Sequence, residues 1–178
     1  MEALNQSDLL QSLEKKVESH LLQVKNSFSN QKKDVLLQPS VSGGWSIVQC
    51  LEHLNSYGDY YLPAIQSALN QPEGKSYKLF KSGWFGRYFT QMMESPSKKY
   101  KAFKNHIPAQ QLDAEAVIEK FIRQQEILLN YIHQAERKDL NVRLPISISK
   151  FIRLKLGDVF QFLIAHNERH IQQALRNL

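Results

Sequence analysis

The feature that most constrains the fold is a helical spacing of apolar residues that recurs in four separate stretches. Apolar side chains repeat there at intervals of three and four, so each stretch would present one apolar face as an α-helix. These stretches cover residues 7–28, 46–69, 113–132 and 157–178. The alternation typical of strands is nowhere convincing, and 178 residues with 42% apolar content can form one core. We therefore expect a single all-α domain over residues 1–178, built as a four-helix bundle.

Capping residues and one proline predict the boundaries of the first two helices. Ser7 or Asp8 is suited to cap helix one. Ser46 and Gln49, three residues apart, form a capping-box pattern at the start of helix two. Pro63 lacks an amide hydrogen and predicts a bend or an end within helix two.

The second half of the chain holds a long connection and two further helices. From about residue 71 to 108 the periodicity weakens, although a short amphipathic helix fits around Trp84 to Met93. Asp113 is a good cap for helix three, and helix four begins near Gly157. Residues 146–156 are ambiguous between extended and helical structure.

Charge is concentrated between residues 74 and 104, which we call the basic aromatic segment. It contains eight lysines and arginines, eight aromatic residues and a single acid, Glu94. Such mixtures suit nucleic acid or a membrane surface. We favour instead a cover whose aromatic rings pack over the bundle while the ammonium groups stay in water. Nucleic acid is not an expected partner, although this segment does not exclude it.

The terminal sequence and the cysteine content favour a cytoplasmic protein. The first residues are polar and acidic, unlike a secretion signal, and no apolar run approaches the roughly 20 residues that span a bilayer. The single cysteine, Cys50, cannot form an intrachain disulfide. We expect a soluble protein with no transmembrane segment.

Two histidines in helix four are the strongest signal for chemistry. His166 and His170 are four residues apart, so both imidazoles lie on one face and could bind one metal ion. Such pairs also arise by chance, and the interpretation needs a third ligand. His53 flanks the apolar face of helix two and could face the pair across a groove. Three imidazoles with one open position are a common arrangement for catalytic zinc.

The other three histidines are weaker candidates. His20 falls on the apolar face of helix one, where a core histidine is expected, and His133 comes late in helix three. His106 precedes Pro108 by two residues, which predicts a loop rather than a fixed ligand position.

A zinc-peptidase motif does not fit helix four. That motif needs glutamate directly after its first histidine as a general base, and Asn167 occupies this position. The next two residues, Glu168 and Arg169, are interpreted as solvent-facing charges.

Four residues could act beside the candidate ligands. Gln173 could orient a ligand histidine or contact a metal-bound water, or it could be an ordinary surface residue. Tyr57 and Tyr60 could line the mouth of the site. Cys50, one turn before His53, could be a ligand or a reactive thiol, although a small buried residue is the favoured interpretation.

Two short motifs resemble the DinB-like superfamily, in particular its YfiT-like branch of metal-dependent enzymes and bacillithiol S-transferases. The matching residues are Trp45-Ser46-Ile47, Gln49 and His53-Leu54 in the first motif, and His166, His170, Ile171 and Gln173 in the second. The resemblance implies an up-down-down-up four-helix bundle with a long crossover between helices two and three. It also implies one divalent ion, zinc or nickel, bound by His53, His166 and His170.

The resemblance implies a metal-dependent transferase that uses a low-molecular-weight thiol as cosubstrate and acts on a small molecule. The metal would favour the thiolate, which is the nucleophilic form. A metal-dependent hydrolase is the nearest enzymatic alternative, and a noncatalytic binding or stress-response module is another. No catalytic residue is assigned, and an exposed bundle face or the basic aromatic segment could mediate a homodimer.

Overall fold

The computed structural model describes most of the chain. The described ranges are residues 3–41, 43–71, 78–95 and 100–178. Parts of the basic aromatic segment, at 72–77 and 96–99, therefore lie outside the described residues, as does Ser42. None of the described helices is both long enough and apolar enough to cross a membrane.

The structure is mainly helical, as predicted. Its helices are α1 (Gln6–Phe28), α2 (Lys33–Leu37), α3 (Ile47–Leu69), α4 (Trp84–Glu94), α5 (Ala114–Gln134) and α6 (Leu156–Leu175). Short 3₁₀ turns cover Lys104–His106 and Ala135–Arg137. The long helices α1, α3, α5 and α6 correspond to the four predicted stretches and form the bundle.

Side-chain pairs between the long helices show two antiparallel packings. The pairs are Glu14–His133 and Lys25–Glu126 for α1 with α5, and His53–His170 and Tyr61–Phe162 for α3 with α6. In both cases residue numbers rise along one helix as they fall along the other, so the helices run in opposite directions.

The other two neighbouring pairs are parallel. The contacts are His20–Glu168 and Gln23–Gln172 for α1 with α6, and Asn55–Val117 and Asp59–Lys120 for α3 with α5. Together the four packings confirm the expected up-down-down-up bundle. Because α3 and α5 are parallel, the chain must return along the bundle between them, which explains the long crossover.

The core is formed by the apolar faces of the four long helices. Fully buried residues on these faces include Val17, Ile65, Phe121 and Phe160, one from each long helix. Burying one such side chain stabilises the fold by about 1.5–3 kcal/mol, so the four faces together account for the helical fold.

Helix α1 begins slightly earlier than predicted. Asn5, rather than Ser7 or Asp8, is the capping residue, and its Oδ1 accepts the amides of Ser7 at 2.9 Å and Asp8 at 3.4 Å. Asparagine is among the best N-cap residues because its side-chain oxygen reaches these otherwise unpaired amides. The predicted cap Asp113 is correct for α5, where its Oδ1 accepts from Glu115 and Ala116.

Helix α3 confirms the predicted capping box, and it does not end at Pro63, where a bend or an end was predicted. Ser46 Oγ accepts the Gln49 amide at 3.2 Å, and Gln49 Oε1 accepts the Ser46 amide at 3.0 Å. The helix continues through Pro63 to Leu69. Ile65 and Leu69 after the proline are buried in the core, and this packing outweighs the loss of one backbone hydrogen bond.

Two small antiparallel sheets accompany the helices. Strand β1 (Leu4–Asn5) pairs with β2 (Leu79–Phe80), and β3 (Arg143–Ile146) pairs with β4 (Ser149–Lys155). The ambiguous stretch after residue 146 is therefore extended. The apolar alternation of β4 is masked in the sequence because Phe151 points outward together with Arg153, while Leu154 is buried.

The basic aromatic segment covers the bundle with only some of its rings. Phe80 is buried, and Phe89 packs against the core. Five other rings, contrary to our expectation of a packed cover, remain exposed, and these are Trp84, Phe85, Tyr88, Tyr100 and Phe103. Gly86, Phe89 and Met93 already occupy the side of α4 that faces the bundle, so the remaining rings of α4 lie on its outer side.

Gly86 permits close approach between α4 and α6, and its replacement should destabilise the fold. A Cβ at Gly86 would lie 2.1 Å from Cγ and 2.4 Å from Cβ of Asp158, whose side chain is buried. We expect Gly86→Ala to lower the free energy of unfolding by about 1–3 kcal/mol through overpacking.

Chemical denaturation of Gly86→Ala and Gly83→Ala would measure this effect. A Cβ at Gly83 would lie 3.2 Å from the same carboxylate. The control Gly83→Ala should therefore lower the free energy of unfolding clearly less than Gly86→Ala does. Equal stability of Gly86→Ala and the wild type would contradict the close approach.

Candidate metal centre

The antiparallel packing of α3 against α6 brings three histidines together. His53 on α3 meets His166 and His170 on α6, with one ring nitrogen from each residue within 4.8 Å of the others. The i, i+4 spacing places the two α6 rings on one face, and their ring centroids are 4.8 Å apart. This cluster is the group of three residues that the sequence predicted.

Two of the nitrogens are already spaced like ligands of one ion. His53 Nε2 and His166 Nε2 are 3.1 Å apart. Nitrogen ligands about 2.0–2.1 Å from a tetrahedral ion lie roughly 3.3 Å from each other. The ring of His170 completes the cluster, with its centroid 4.6 Å from that of His53.

The orientation of His53 is fixed by a backbone carbonyl. His53 Nδ1 donates a hydrogen bond to the carbonyl oxygen of His106 at 2.7 Å. A neutral imidazole carries one proton, so this bond leaves the Nε2 lone pair facing the cluster. Hydrogen bonds of this kind commonly orient metal-binding histidines.

His106 is the contributor that sequence reasoning missed. It lies in the 3₁₀ turn at the end of the crossover, and it is buried. Its Nδ1 lies 2.9 Å from Ser56 Oγ, which donates to the His53 carbonyl at 2.7 Å. Ser56, three residues after His53, thus joins the His106 ring to the backbone of α3, a contact that the sequence analysis did not predict.

Gln173 holds His170 in the same way. His170 Nδ1 donates to Gln173 Oε1 at 2.9 Å, across one turn of α6. The Nε2 lone pair of His170 is therefore left for the cluster. Of the roles considered for Gln173, its geometry supports that of orienting a histidine.

His166 differs from the other two histidines. It is buried, and its Nδ1 has no hydrogen-bond partner among the described residues. Its Nε2 faces His53 Nε2. When His166 carries its proton on Nε2, it can therefore donate a hydrogen bond to the lone pair of His53 Nε2. The protein thus fixes the tautomers of His53 and His170 from outside the cluster, but not that of His166.

Burial keeps all three imidazoles neutral. It lowers the pKa of His53 to about 4 and the pKa of His170 to about 3, and it holds the pKa of His166 well below its ordinary value. Repulsion from neighbouring histidines also lowers the pKa of His166 and His170, and Arg169 adds to it. Neutral imidazole is the form that binds metal ions, so the cluster needs no deprotonation near pH 7.

Aromatic rings surround the cluster. Trp45 lies 4.7 Å from His53 and 5.8 Å from His170 between ring centroids, and Phe162 stacks on His166 at 5.6 Å. Tyr57 contacts His166 at 4.4 Å. Burial raises the pKa of the Tyr57 hydroxyl, so Tyr57 stays protonated near neutral pH.

The other two predicted neighbours are engaged elsewhere. Tyr60 donates its hydroxyl to the carbonyl of Ile146 at 3.1 Å and so ties α3 to the β3–β4 hairpin. Cys50 packs in an apolar cluster with Leu51 and Phe121, and burial raises its pKa to about 12. A thiol in this environment stays protonated and is a poor nucleophile.

The polar residues between His166 and His170 serve structural contacts. Asn167 is buried and donates to Gln125 Oε1 at 2.8 Å, so Gln125 is a hydrogen-bonded core residue. Glu168 accepts from the buried His20 at 2.8 Å, and this hydrogen bond lowers the pKa of Glu168. Glu168 thus faces solvent, as predicted, and also binds a buried histidine on α1.

Arg169 is also more constrained than predicted. Its guanidinium donates to the carbonyls of Met93 and Ser95 at 3.3 and 2.7 Å, and it lies over the Tyr100 ring. Arg169 thus ties α6 to the end of α4. Among the remaining histidines, His133 is exposed and pairs with Glu14, far from the cluster along the bundle.

The three imidazoles could hold one divalent metal ion. Imidazole nitrogens suit both zinc and nickel, and two of the three rings are held with Nε2 available. Three protein ligands are one fewer than a closed structural zinc site has, which leaves room for an exogenous ligand.

Comparison with known proteins places the chain in a sequence family. The family model that describes the DinB superfamily matches residues 19–174, which include all three clustered histidines. No curated protein and no solved structure gives a significant match.

Proposed function

The chain belongs to the DinB superfamily, and from that premise we propose that it is a metal-dependent transferase of a small thiol. In this proposal His53, His166 and His170 bind one divalent ion, zinc or nickel. The observation that carries the proposal is the meeting of three neutral imidazoles within 4.8 Å, two of them held through Nδ1 by hydrogen bonds from outside the cluster.

The chemistry is the replacement of a leaving group by sulfur. The thiol loses its proton to solvent, its sulfur forms a bond to an electrophilic carbon, and the leaving group departs with the electron pair of the broken bond. A divalent ion at the histidines would supply Lewis acidity that favours the thiolate near pH 7.

The residues of the chain would bind and orient the reactants. His106 and Gln173 hold two imidazoles in place, which limits rearrangement when a ligand binds. Trp45, Tyr57 and Phe162 form an apolar wall around the cluster and restrict water. The protonated Tyr57 hydroxyl can donate a hydrogen bond but is a poor general base. A small, partly apolar electrophile fits these walls best.

Thiol-transfer assays test the proposal directly. Zinc- or nickel-loaded protein would be incubated with cysteine, coenzyme A or bacillithiol and with electrophiles such as an aryl chloride, an epoxide and a bromobimane. We expect one thiol consumed per thioether formed, at a rate at least tenfold above that of metal-free protein. His53→Ala would serve as the site control and His133→Ala as the matched control.

Other products would identify the alternatives. Cleavage of ester or amide substrates without thiol consumption would replace the proposal with a metal-dependent hydrolase. Stoichiometric metal without acceleration of either reaction would leave a noncatalytic binding module and would contradict the transferase.

Gln173 should tune metal affinity through His170. Removing its side-chain oxygen leaves the Nδ1 proton of His170 without its acceptor, so the ring loses its orientation. We expect Gln173→Ala to weaken zinc binding about 10- to 100-fold, which is typical for groups that orient a ligand.

Competition with a chromophoric chelator would measure this affinity change. Gln172→Ala is the matched control, because Gln172 is the preceding residue on α6 but bonds Gln23 on α1. Equal zinc affinities for Gln173→Ala and Gln172→Ala would refute the orienting role.

A further inference from the structure

Two neighbouring elements, α4 with the residues before it and the β3–β4 hairpin, expose aromatic and basic side chains together. Lys155 on β4 donates to the carbonyl of Lys81 at 2.7 Å, and its ammonium group lies 5.6 Å from the centre of the Phe80 ring. These contacts hold the Lys155 end of β4 beside the residues that precede α4. The name cationic aromatic face is used below for the exposed residues of these two elements, which are Lys81, Trp84, Phe85, Arg87, Tyr88, Ile148, Phe151 and Arg153.

The outer side of α4 is unusually apolar for a surface helix. Its inner side packs on α6 through Gly86 and Met93. On the outer side Trp84 is 72% exposed, Tyr88 53% and Phe85 47%. Trp84 stacks on Tyr88 with 6.0 Å between ring centroids and meets the Phe85 ring edge-on at 4.8 Å. Contiguous exposed apolar groups of this kind mark interaction sites.

The hairpin adds apolar groups at its tip. Ile148 lies in the turn between β3 and β4 and is 38% exposed, and Phe151 is 98% exposed. Inward-facing Leu144 and Leu154 anchor the hairpin to the core. The tip therefore presents a fully exposed phenylalanine on a supported turn.

The charge around these groups is mainly positive. Lys81, Arg87 and Arg153 are exposed, and Glu94 at the end of α4 is the exposed acid of these elements among the described side chains. The next acidic residue after the hairpin, Asp158, is buried and accepts a hydrogen bond from the Gly83 amide. This excess of positive charge favours an anionic partner.

We propose that the cationic aromatic face docks the protein on the surface of an anionic lipid membrane. Aromatic rings partition into the headgroup region of a bilayer, and nearby lysines and arginines are attracted to anionic headgroups. The aliphatic Ile148 and the protruding Phe151 suit insertion below the headgroups. A nucleic acid would use the rings for stacking but offers no apolar layer for Ile148.

Docking of this kind is independent of the proposed thiol transfer. The three clustered histidines lie between α3 and α6, whereas the cationic aromatic face is formed by α4 and the hairpin. Loss of either function would thus leave the other measurable.

Vesicle flotation tests the proposal on the full chain. We expect at least tenfold stronger binding to phosphatidylcholine vesicles containing about 30% phosphatidylserine than to phosphatidylcholine alone. Binding should fall at least tenfold when sodium chloride rises from about 0.05 to about 0.5 M, because screening weakens the headgroup attraction. Tryptophan emission should shift to the blue on binding, and Trp84→Phe should remove most of this shift.

Two pairs of variants separate the contributions of apolar groups and charge. Trp84→Ser/Phe151→Ser should lower vesicle binding at least tenfold, whereas Leu22→Ser/Ile127→Ser, which removes exposed apolar groups from α1 and α5, should not. Lys81→Glu/Arg87→Glu should have a similarly large effect. The same charge change at exposed Lys15 and Lys33 should have a much smaller one.

Three outcomes would overturn membrane docking. The first is equal binding to neutral and anionic vesicles, or none to either. The second is unchanged vesicle binding in both variants of the face. The third is evidence for a different partner. Light scattering would show a wild-type dimer that becomes monomeric in Trp84→Ser/Phe151→Ser, or a single-stranded oligonucleotide would bind and prevent vesicle binding. Circular dichroism and thermal unfolding would establish that each variant is folded.

Discussion

His53→Ala should abolish stoichiometric metal binding while leaving the bundle folded. Structural zinc sites with four ligands bind with about 10–16 kcal/mol, so one ligand contributes roughly 3 kcal/mol, or more than a hundredfold in affinity. His53 is the only member of the cluster on α3, and without it His166 and His170 form a two-ligand site on one helix. Such a site should not retain an ion through dialysis.

Elemental analysis of untagged protein would measure this loss. We expect about one zinc or nickel per chain in the wild type and almost none in His53→Ala, with the same result for His166→Ala and His170→Ala. His133→Ala should keep the ion, because His133 is exposed and bonded to Glu14. One retained ion per chain in His53→Ala would rule out the three-histidine site.

The three clustered histidines were predictable because side-chain spacing carries the signal. His166 and His170 share a helix face by periodicity, and His53 sits beside the apolar stripe that must pack against that helix. Helix packing then determines the distance between them. The bundle order was suggested by the resemblance of the motifs, since periodicity alone does not specify which helices are neighbours.

The hydrogen bond from His53 to the backbone carbonyl of His106 could not be predicted, because every residue type has the same backbone carbonyl. Any residue at this position offers the same oxygen, and Pro108 nearby indicated only a loop. Gln173, in contrast, acts through its side chain within one turn of α6, so its role was among those anticipated. Local side-chain contacts are therefore more predictable than contacts made by a distant backbone.

The β3–β4 hairpin and the exposed rings of α4 were missed for a related reason. Sequence patterns assume that apolar residues face the core, and Phe151 and Trp84 do not. Phe151 obscures the alternation of β4, and the amphipathic pattern predicted for α4 did not show that Trp84 lies on its outer side. Exposed residues that violate the pattern are candidates for interaction, as in the cationic aromatic face.

The metal-free protein should lose stability on mild acidification, and the sign follows from the histidine pKa values. An unfolded histidine titrates near pH 6.5, whereas folding lowers the pKa of His53 to about 4 and that of His170 to about 3. Below pH 6.5 the unfolded chain therefore binds more protons than the folded chain. The free energy of unfolding then falls as pH falls, until the folded histidines themselves titrate.

The expected loss between pH 7 and pH 5 is several kcal/mol. One pKa unit corresponds to about 1.4 kcal/mol, so a single histidine with a folded pKa near 4 contributes roughly 2 kcal/mol over this interval. His166 adds to this, because burial also lowers its pKa. Because the three groups interact, the total should lie between about 2 and about 5 kcal/mol. Burial raises the pKa of Asp158, so this group makes the free energy of unfolding rise as pH falls. Its effect is largest at lower pH, where carboxyl groups titrate.

Urea unfolding of chelator-treated protein at pH 7 and pH 5 would measure the loss. His53→Gln/His170→Gln should reduce the pH dependence by more than half, because glutamine is neutral in both the folded and the unfolded chain. His133→Gln should leave most of the pH dependence in place, since His133 lies outside the cluster. Wild-type stability that is equal at the two pH values would mean that the cluster accepts protons readily. Its imidazoles would then be neither dry nor preorganised for a metal ion.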